Sequence, residues 1–132
     1  MMMKLNLLII ILFLGKTSFD CDKFKTGKFE VESKFGGKVV IQRNHRFHTE
    51  TLTRNGNVVR YKIKWISDCS FLLYGRQLLK GTEEINDPKI IEEFANDTIF
   101  NEIIKINGNV YTTKSKLYKF KKWYESTTRK IE

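Results

Sequence analysis

His45, His48 and Glu50 are the residues of this chain whose types and spacing best suit acid–base chemistry. A histidine titrates near neutrality, and a carboxylate beside it can orient its ring or take its proton. In an extended segment, residues two apart share a face and residues three apart do not. Glu50 therefore falls beside His48, and His45 falls on the other face. An enzyme built on the His48–Glu50 pair requires a cleft around it. The plainer expectation is two surface histidines on a polar strand.

A second constellation is Lys114 to Tyr124, KSKLYKFKKWY. It carries Lys114, Lys116, Lys119, Lys121 and Lys122 with no acid, interleaved with Tyr118, Phe120, Trp123 and Tyr124. Cations alternating with aromatic faces suit a single-stranded nucleic acid, a polyanionic glycan or an anionic membrane surface. Arg60, Lys62 and Lys64 extend the candidate polyanion-binding set. The plainer expectation is a solvated lysine face with the aromatics packed on a sheet. No G-x-S-x-G, H-E-x-x-H, phosphate-cradling glycine loop or acidic metal cluster is present. Two cysteines and two histidines at unmatched spacing are a weak zinc set. The expectation is a chain with no catalytic residue, no metal and no cofactor.

The elements that must position these residues read mostly as strands, with period-two alternation. Gly27 to Lys34 puts Phe29 and Val31 on one face and Glu30 and Glu32 on the other; Gly36-Gly37 suits a hairpin turn before Val39 to Arg43. His45 to Arg54 is Thr-rich and two-sided, which predicts an edge or exposed strand. Asn55-Gly56-Asn57 and Asn107-Gly108-Asn109 are turn signals. Val58 to Ile66 places Val59, Tyr61, Ile63 and Trp65 on one face and Arg60, Lys62 and Lys64 on the other. Cys69 to Tyr74 returns as a more buried strand, and polar Gly75 to Asp87 reads as a loop. Asp87 before Pro88 predicts a helix N-cap, with the helix running to Asn96. Thr98 to Ile106 and Val110 to Phe120 return to strand.

Length and composition set the frame. The chain has 132 residues and a net charge of +9. Lys4, then the apolar run Leu5 to Leu14 interrupted only by Asn6, then Gly15 to Ser18, follow the order of a secretory signal peptide. Ten apolar residues span only about 15 Å as a helix, roughly half a bilayer core. Without Lys4 and Lys16, 22 basic side chains face 15 acidic ones, a net charge of +7. The remaining length, about 112 residues, suits one domain with one modest core. In an exported chain an even cysteine pair suggests a Cys21–Cys69 disulfide across 48 positions. By loop entropy it contributes about 4 kcal/mol. Ser18-Phe19-Asp20 before Cys21 disfavours lipidation there.

From Cys21 to Tyr111 the chain resembles a group of small exported bacterial proteins and lipoproteins of unknown function. Their pattern is C-x-x-F-x-T-G-x-F, an Arg on the following hairpin, W-x-x-x-C and a late I-x-x-x-G-x-x-Y. Cys21, Phe24, Thr26, Gly27 and Phe29 match the first part; Arg43, Trp65, Cys69, Ile104, Gly108 and Tyr111 match the rest. The resemblance implies the Cys21–Cys69 bridge and structural roles for Phe24, Gly27, Phe29, Trp65 and Cys69. Some members carry the label of a DNA topoisomerase IV subunit. So short an exported chain has no room for a DNA gate. Many relatives have a lipid-accepting Cys upstream, whereas no cysteine precedes Cys21.

These readings converge on a mainly β fold: an antiparallel meander of six to seven strands, half-open or barrel-like, with one short helix near residues 88–96. Residues 1–18 are the expected signal peptide, 19–126 a single β-rich domain and 127–132 a flexible tail. The expected function is non-enzymatic binding or envelope association, in the periplasm or secreted, with lipid anchoring disfavoured. The expected partner is an envelope component, a polyanion or a small apolar ligand, and not intracellular nucleic acid. For the apolar ligand, Phe29, Tyr61, Ile63, Trp65, Phe71 and Leu73 are the candidate lining or core residues. A pocket of roughly 300 Å³ or more favours that carrier, and a packed interior excludes it.

Overall fold

The computed structural model describes residues 20–33, 36–84, 86–117 and 122–132. The signal-peptide reading of residues 1–18 lies outside the described residues, as do Tyr118, Lys119, Phe120 and Lys121. Eight antiparallel strands form a closed barrel in sequence order: β1 Gly27–Glu32, β2 Lys38–Arg43, β3 Phe47–Leu52, β4 Val58–Trp65, β5 Ser70–Lys80, β6 Ile99–Asn107, β7 Val110–Leu117 and β8 Tyr124–Lys130. Helix α1, Pro88–Asn96, precedes β6 and packs against β5. It starts where expected: the Asp87 side chain accepts from Lys89 N at 2.9 Å, and Pro88 sits in the first turn.

The mainly β antiparallel meander is as expected, and of its two expected forms, half-open or barrel-like, it takes the barrel, with eight strands where six to seven were expected. β3 therefore has a paired neighbour on both sides and is not an edge. Gly75 to Lys80 is strand, not loop. The register shifts between Arg60 and Lys62 opposite a bulge at Gly75, whose φ is +64°. A bulge with glycine in the left-handed region lets the strand continue with its side chains re-aimed. Residues 127–130 are not a frayed tail. Phe29↔Lys130, Glu30↔Arg129 and Val31↔Thr128 pair β8 with β1 and close the barrel. The polarity of 124–130 hid this strand, because its inner positions Ser126 and Thr128 face a polar interior.

One end of the barrel, the floor, is plugged. A one-turn 3-10 helix, Asp22–Phe24, carries fully buried Phe24 against Tyr111, ring centroids 4.6 Å apart. Phe29, Ile41, Ile63, Phe71, Leu73 and Ile103 complete this core. Burying one such side chain contributes about 1.5–3 kcal/mol. Cys21 and Cys69 are joined by a disulfide, which ties the plug to the turn after β4. At this end Tyr111 meets both Phe24 and Phe29, and Trp65 packs on Phe71 at 4.6 Å. The outward positions Lys28, Glu30, Arg60, Lys62, Lys64, Glu102, Lys114 and Lys116 are charged, where a membrane-spanning barrel carries an apolar band.

Candidate functional site: a polar barrel lumen

The inner face of β2 and β3 carries the charged residues. Ile41 and Arg43 alternate inward on β2; His48 and Glu50 do so on β3. Register places Arg43 opposite His48, and His48 opposite Tyr61 on β4. Three adjacent strands thus set Arg43, His48 and Tyr61 in one row. Arg43 is only 7% exposed. Its guanidinium carbon lies 4.6 Å from the Phe29 ring centroid and 4.8 Å from that of Phe71. Nη1 donates to the Phe24 carbonyl at 3.1 Å, and Nε donates to His48 Nδ1 at 3.0 Å. The buried cation is held by ring faces, a carbonyl and an imidazole.

An arginine has no acceptor, so His48 Nδ1 must accept and the ring proton must sit on Nε2. Nε2 then donates to Glu50 Oε2 at 2.8 Å. Burial pushes the His48 pKa down and the Arg43 charge adds to this, against the opposing pull of Glu50. Burial pushes Glu50 up, but the His48 hydrogen bond and the Arg43 and Arg76 charges outweigh it and hold the carboxyl below its usual value. The relay is therefore Arg43 cation, neutral His48, Glu50 carboxylate. Burial raises the Tyr61 and Tyr124 hydroxyls, with the charge of Glu50 adding to both, so each stays protonated. The Gly75 bulge leaves Arg76 on the side of Tyr61, hydrogen-bonded to it. Arg76 is itself paired with both Glu83 oxygens at 2.8 and 3.1 Å.

The opposite wall is uncharged and hydroxyl-rich. Ser115 Oγ donates to Asn101 Oδ1 at 2.7 Å, and Asn101 Nδ2 donates to the Ile99 carbonyl at 3.1 Å. The Thr113 and Ser126 hydroxyls lie 3.2 Å apart. Thr128 is 4% exposed and its hydroxyl meets no partner among the described residues. Between these walls lies a cavity of about 160 Å³, completed by Val31, Ile41, Phe71, Leu73 and Ile99. An apolar cavity of about 150 Å³ holds benzene, so this space admits a comparably small group. Val31, Tyr124 and Ser126 also line a wider, largely apolar mouth of about 870 Å³, with Glu32, Ser33, Leu117, Glu125 and Thr127.

The sequence-predicted residues are distributed unevenly over this geometry. His48 and Glu50 do come together, but inside a lumen rather than on a polar surface; His48 is 2% exposed. Both its ring nitrogens are engaged, so the imidazole has no lone pair for a substrate. Of the candidate lining set, Phe71 and Leu73 reach the cavity, while Phe29 and Ile63 belong to the packed floor. Trp65 and Tyr61 are half-buried. The basic residues do not form one patch. Arg60, Lys62 and Lys64 lie on β4, Lys114 and Lys116 on β7, with β5 and β6 between the two strands. Lys114 and Lys116 stand over Trp123 at 4.8 and 4.7 Å, and Lys114 also meets Glu102 at 3.6 Å. Lys122 is exposed ahead of β8, and Lys119 and Lys121 lie outside the described residues.

Sequence reading missed Asn101, Thr113, Ser115, Ser126 and Thr128 as a wall. The available signal was Tyr111-x-Thr113-x-Ser115, an inward period-two row whose members shrink and turn polar along the strand. Comparison of the chain with protein-family models, curated proteins and solved structures finds no match in any of the three.

Proposed function

We propose that this chain is an exported, non-enzymatic binding protein whose barrel lumen takes the polar end of one small amphipathic molecule. One observation carries the reading: the 160 Å³ cavity has a charged relay on one wall and hydroxyls on the other. An eight-stranded barrel has an interior that either fills with side chains or holds one small ligand. Here the lower half is filled, and the upper half is hollow and adjoins an apolar mouth at the β1–β8 rim, with which it shares Val31, Tyr124 and Ser126. Buried hydroxyls and a carboxylate facing a space are favourable only when something there hydrogen-bonds to them. The expected apolar carrier is thereby narrowed: the mouth suits an apolar tail, the lumen a polar head. The separation of the basic residues onto different walls speaks against a polyanion surface. The engaged nitrogens of His48 speak against general-base catalysis.

The test is a thermal-shift screen of small amphipathic molecules against the wild type and Thr128→Leu. That substitution fills the cavity without removing a described hydrogen bond. A ligand at about one hundred times its Kd stabilises by about 2.7 kcal/mol. Ligands that stabilise the wild type and not Thr128→Leu support the lumen. A set that stabilises neither protein, or both equally, rejects it.

A further inference from the structure

The lumen and its mouth differ in charge from the rest of the molecule. In a chain of net charge +9, the mouth carries Glu32 and Glu125, and no lysine or arginine among its described residues. The lumen adds Glu50 and Arg43. Arg43 is committed to the floor, against Phe29, Phe71, the Phe24 carbonyl and His48. Arg76 is committed to both oxygens of Glu83. Glu50 is different. Its Oε2 accepts from His48, while no described residue donates to Oε1. The groups whose charge or hydrogen bonding reaches it are Arg43, His48, Arg76, Tyr61 and Tyr124, and its side chain is 29% exposed.

We infer that the ligand's polar head is a protonated amine, seated on Glu50 with its remaining N–H groups shared among the hydroxyls of the opposite wall. This rests on the lumen being the binding site. An ammonium has three donors and no acceptor. It matches what this cavity offers: a carboxylate oxygen and the Thr128 hydroxyl, both without a donor or acceptor among the described residues, and the Ser126 and Thr113 oxygens. Tyr124 lines the same cavity as Glu50, and ring faces attract cations. A carboxylate head would meet Glu50 at close range with like charge, at a cost that grows as water is excluded. A neutral alcohol satisfies the oxygens but forgoes the charge. The apolar lining of Val31, Leu117 and Tyr124 above then takes the carbon chain of the amine.

The experiment is calorimetric titration of the full chain at pH 7 with n-hexylamine, 1-hexanol and hexanoate, three probes of one length and three charges. Hexylamine is expected to bind on the order of tenfold more tightly than hexanol, because a charge-assisted hydrogen bond is about twice as strong as a neutral one. Glu50→Gln is expected to bring the two within about threefold, as only the ion pair is lost. Hexanol binding as tightly as hexylamine to the wild type, or hexanoate binding tightest, overturns the amine while leaving the lumen reading intact. That comparison needs no variant, so it decides the matter even where Glu50→Gln does not fold. Hexylamine binding that survives Thr128→Leu places it on the acidic surface and overturns the inference. Failure of all three probes, together with an empty thermal-shift screen, removes the lumen reading itself.

Discussion

Arg43 and His48 face each other across β2 and β3, and the 3.0 Å bond from Arg43 Nε to His48 Nδ1 fixes the state of everything above it. A donor-only guanidinium forces the imidazole to present its lone pair downward and its proton upward. Glu50 Oε2 accepts the hydrogen bond from that N–H at 2.8 Å and stays ionised. The floor of the barrel thereby sets the charge of the lumen. The same guanidinium stacks on Phe29 and Phe71 and bonds the Phe24 carbonyl, so the plug and the site share one side chain.

The relay predicts loss of stability in acid. His48 has its folded pKa below 6.5, so the native state holds it neutral while the unfolded chain takes up a proton. Its contribution is full above about pH 6.5 and is lost as pH falls toward the depressed folded value. Glu50, also depressed, adds its own loss below 4.5. The His48 slope is at most about 1.4 kcal/mol per pH unit. Urea midpoints measured from pH 7.5 to 5 should fall for the wild type. They should fall less for His48→Gln, whose amide can accept from Arg43 and donate to Glu50 without titrating. Equal slopes in the two proteins would falsify the assignment.

Arg43 should tolerate neither loss of charge nor loss of shape. Arg43→Met strands His48 Nδ1 and the Phe24 carbonyl without donors, and should cost about 3 kcal/mol or more in urea unfolding. Arg43→Lys keeps the charge but not the planar stack or the paired donors. We expect it to recover less than half of that loss. Full recovery by lysine would mean that the stacking on Phe29 and Phe71 contributes nothing.

Tyr111 offers the opposite case. It is 1% exposed, and its hydroxyl is buried without a hydrogen-bond partner among the described residues. An unsatisfied buried hydroxyl is a cost, so Tyr111→Phe should leave the urea midpoint unchanged or raise stability by up to about 1 kcal/mol. The ring contacts to Phe24 and Phe29 are retained. A loss of 1 kcal/mol or more would show that the hydroxyl has a partner, such as a buried water.

How far the sequence carries depends on whether polarity still reports facing. On β4, Val59 and Ile63 point inward between Arg60, Lys62 and Lys64, so period two is plain and the strand is legible. The helix is legible because Asp87-Pro88 acts through local backbone chemistry. On β8 both faces are polar: Glu125, Thr127 and Arg129 look out, Ser126 and Thr128 look into a polar lumen. The alternation signal vanishes, and the strand reads as a tail. The same effect hid the hydroxyl wall of β7. For His48 and Glu50, spacing correctly put them side by side. The burial of His48 was invisible, because it depends on closure by β1 and β8, far away in the chain.

That closure is the last thing to test. All three β1–β8 residue pairs use residues 128–130, and the Lys28 backbone adds N–H to Glu132 O at 2.8 Å and accepts from Ile131 N at 2.8 Å. Gly27 sits at φ +124° beneath this segment, where a Cβ would lie 2.5 Å from Glu132 O. A chain truncated after Ser126 leaves β1 with one free edge and the lumen open along its length. It should lose about 3 kcal/mol or more, or its cooperative urea transition altogether. Gly27→Ala should cost about 1–3 kcal/mol through strain at the same seam. A flexible tail makes the contrary forecast, a truncated chain with the wild-type midpoint. Circular dichroism of the two variants through a urea series separates them, and an unchanged midpoint after truncation would mean that β8 does not hold the barrel shut.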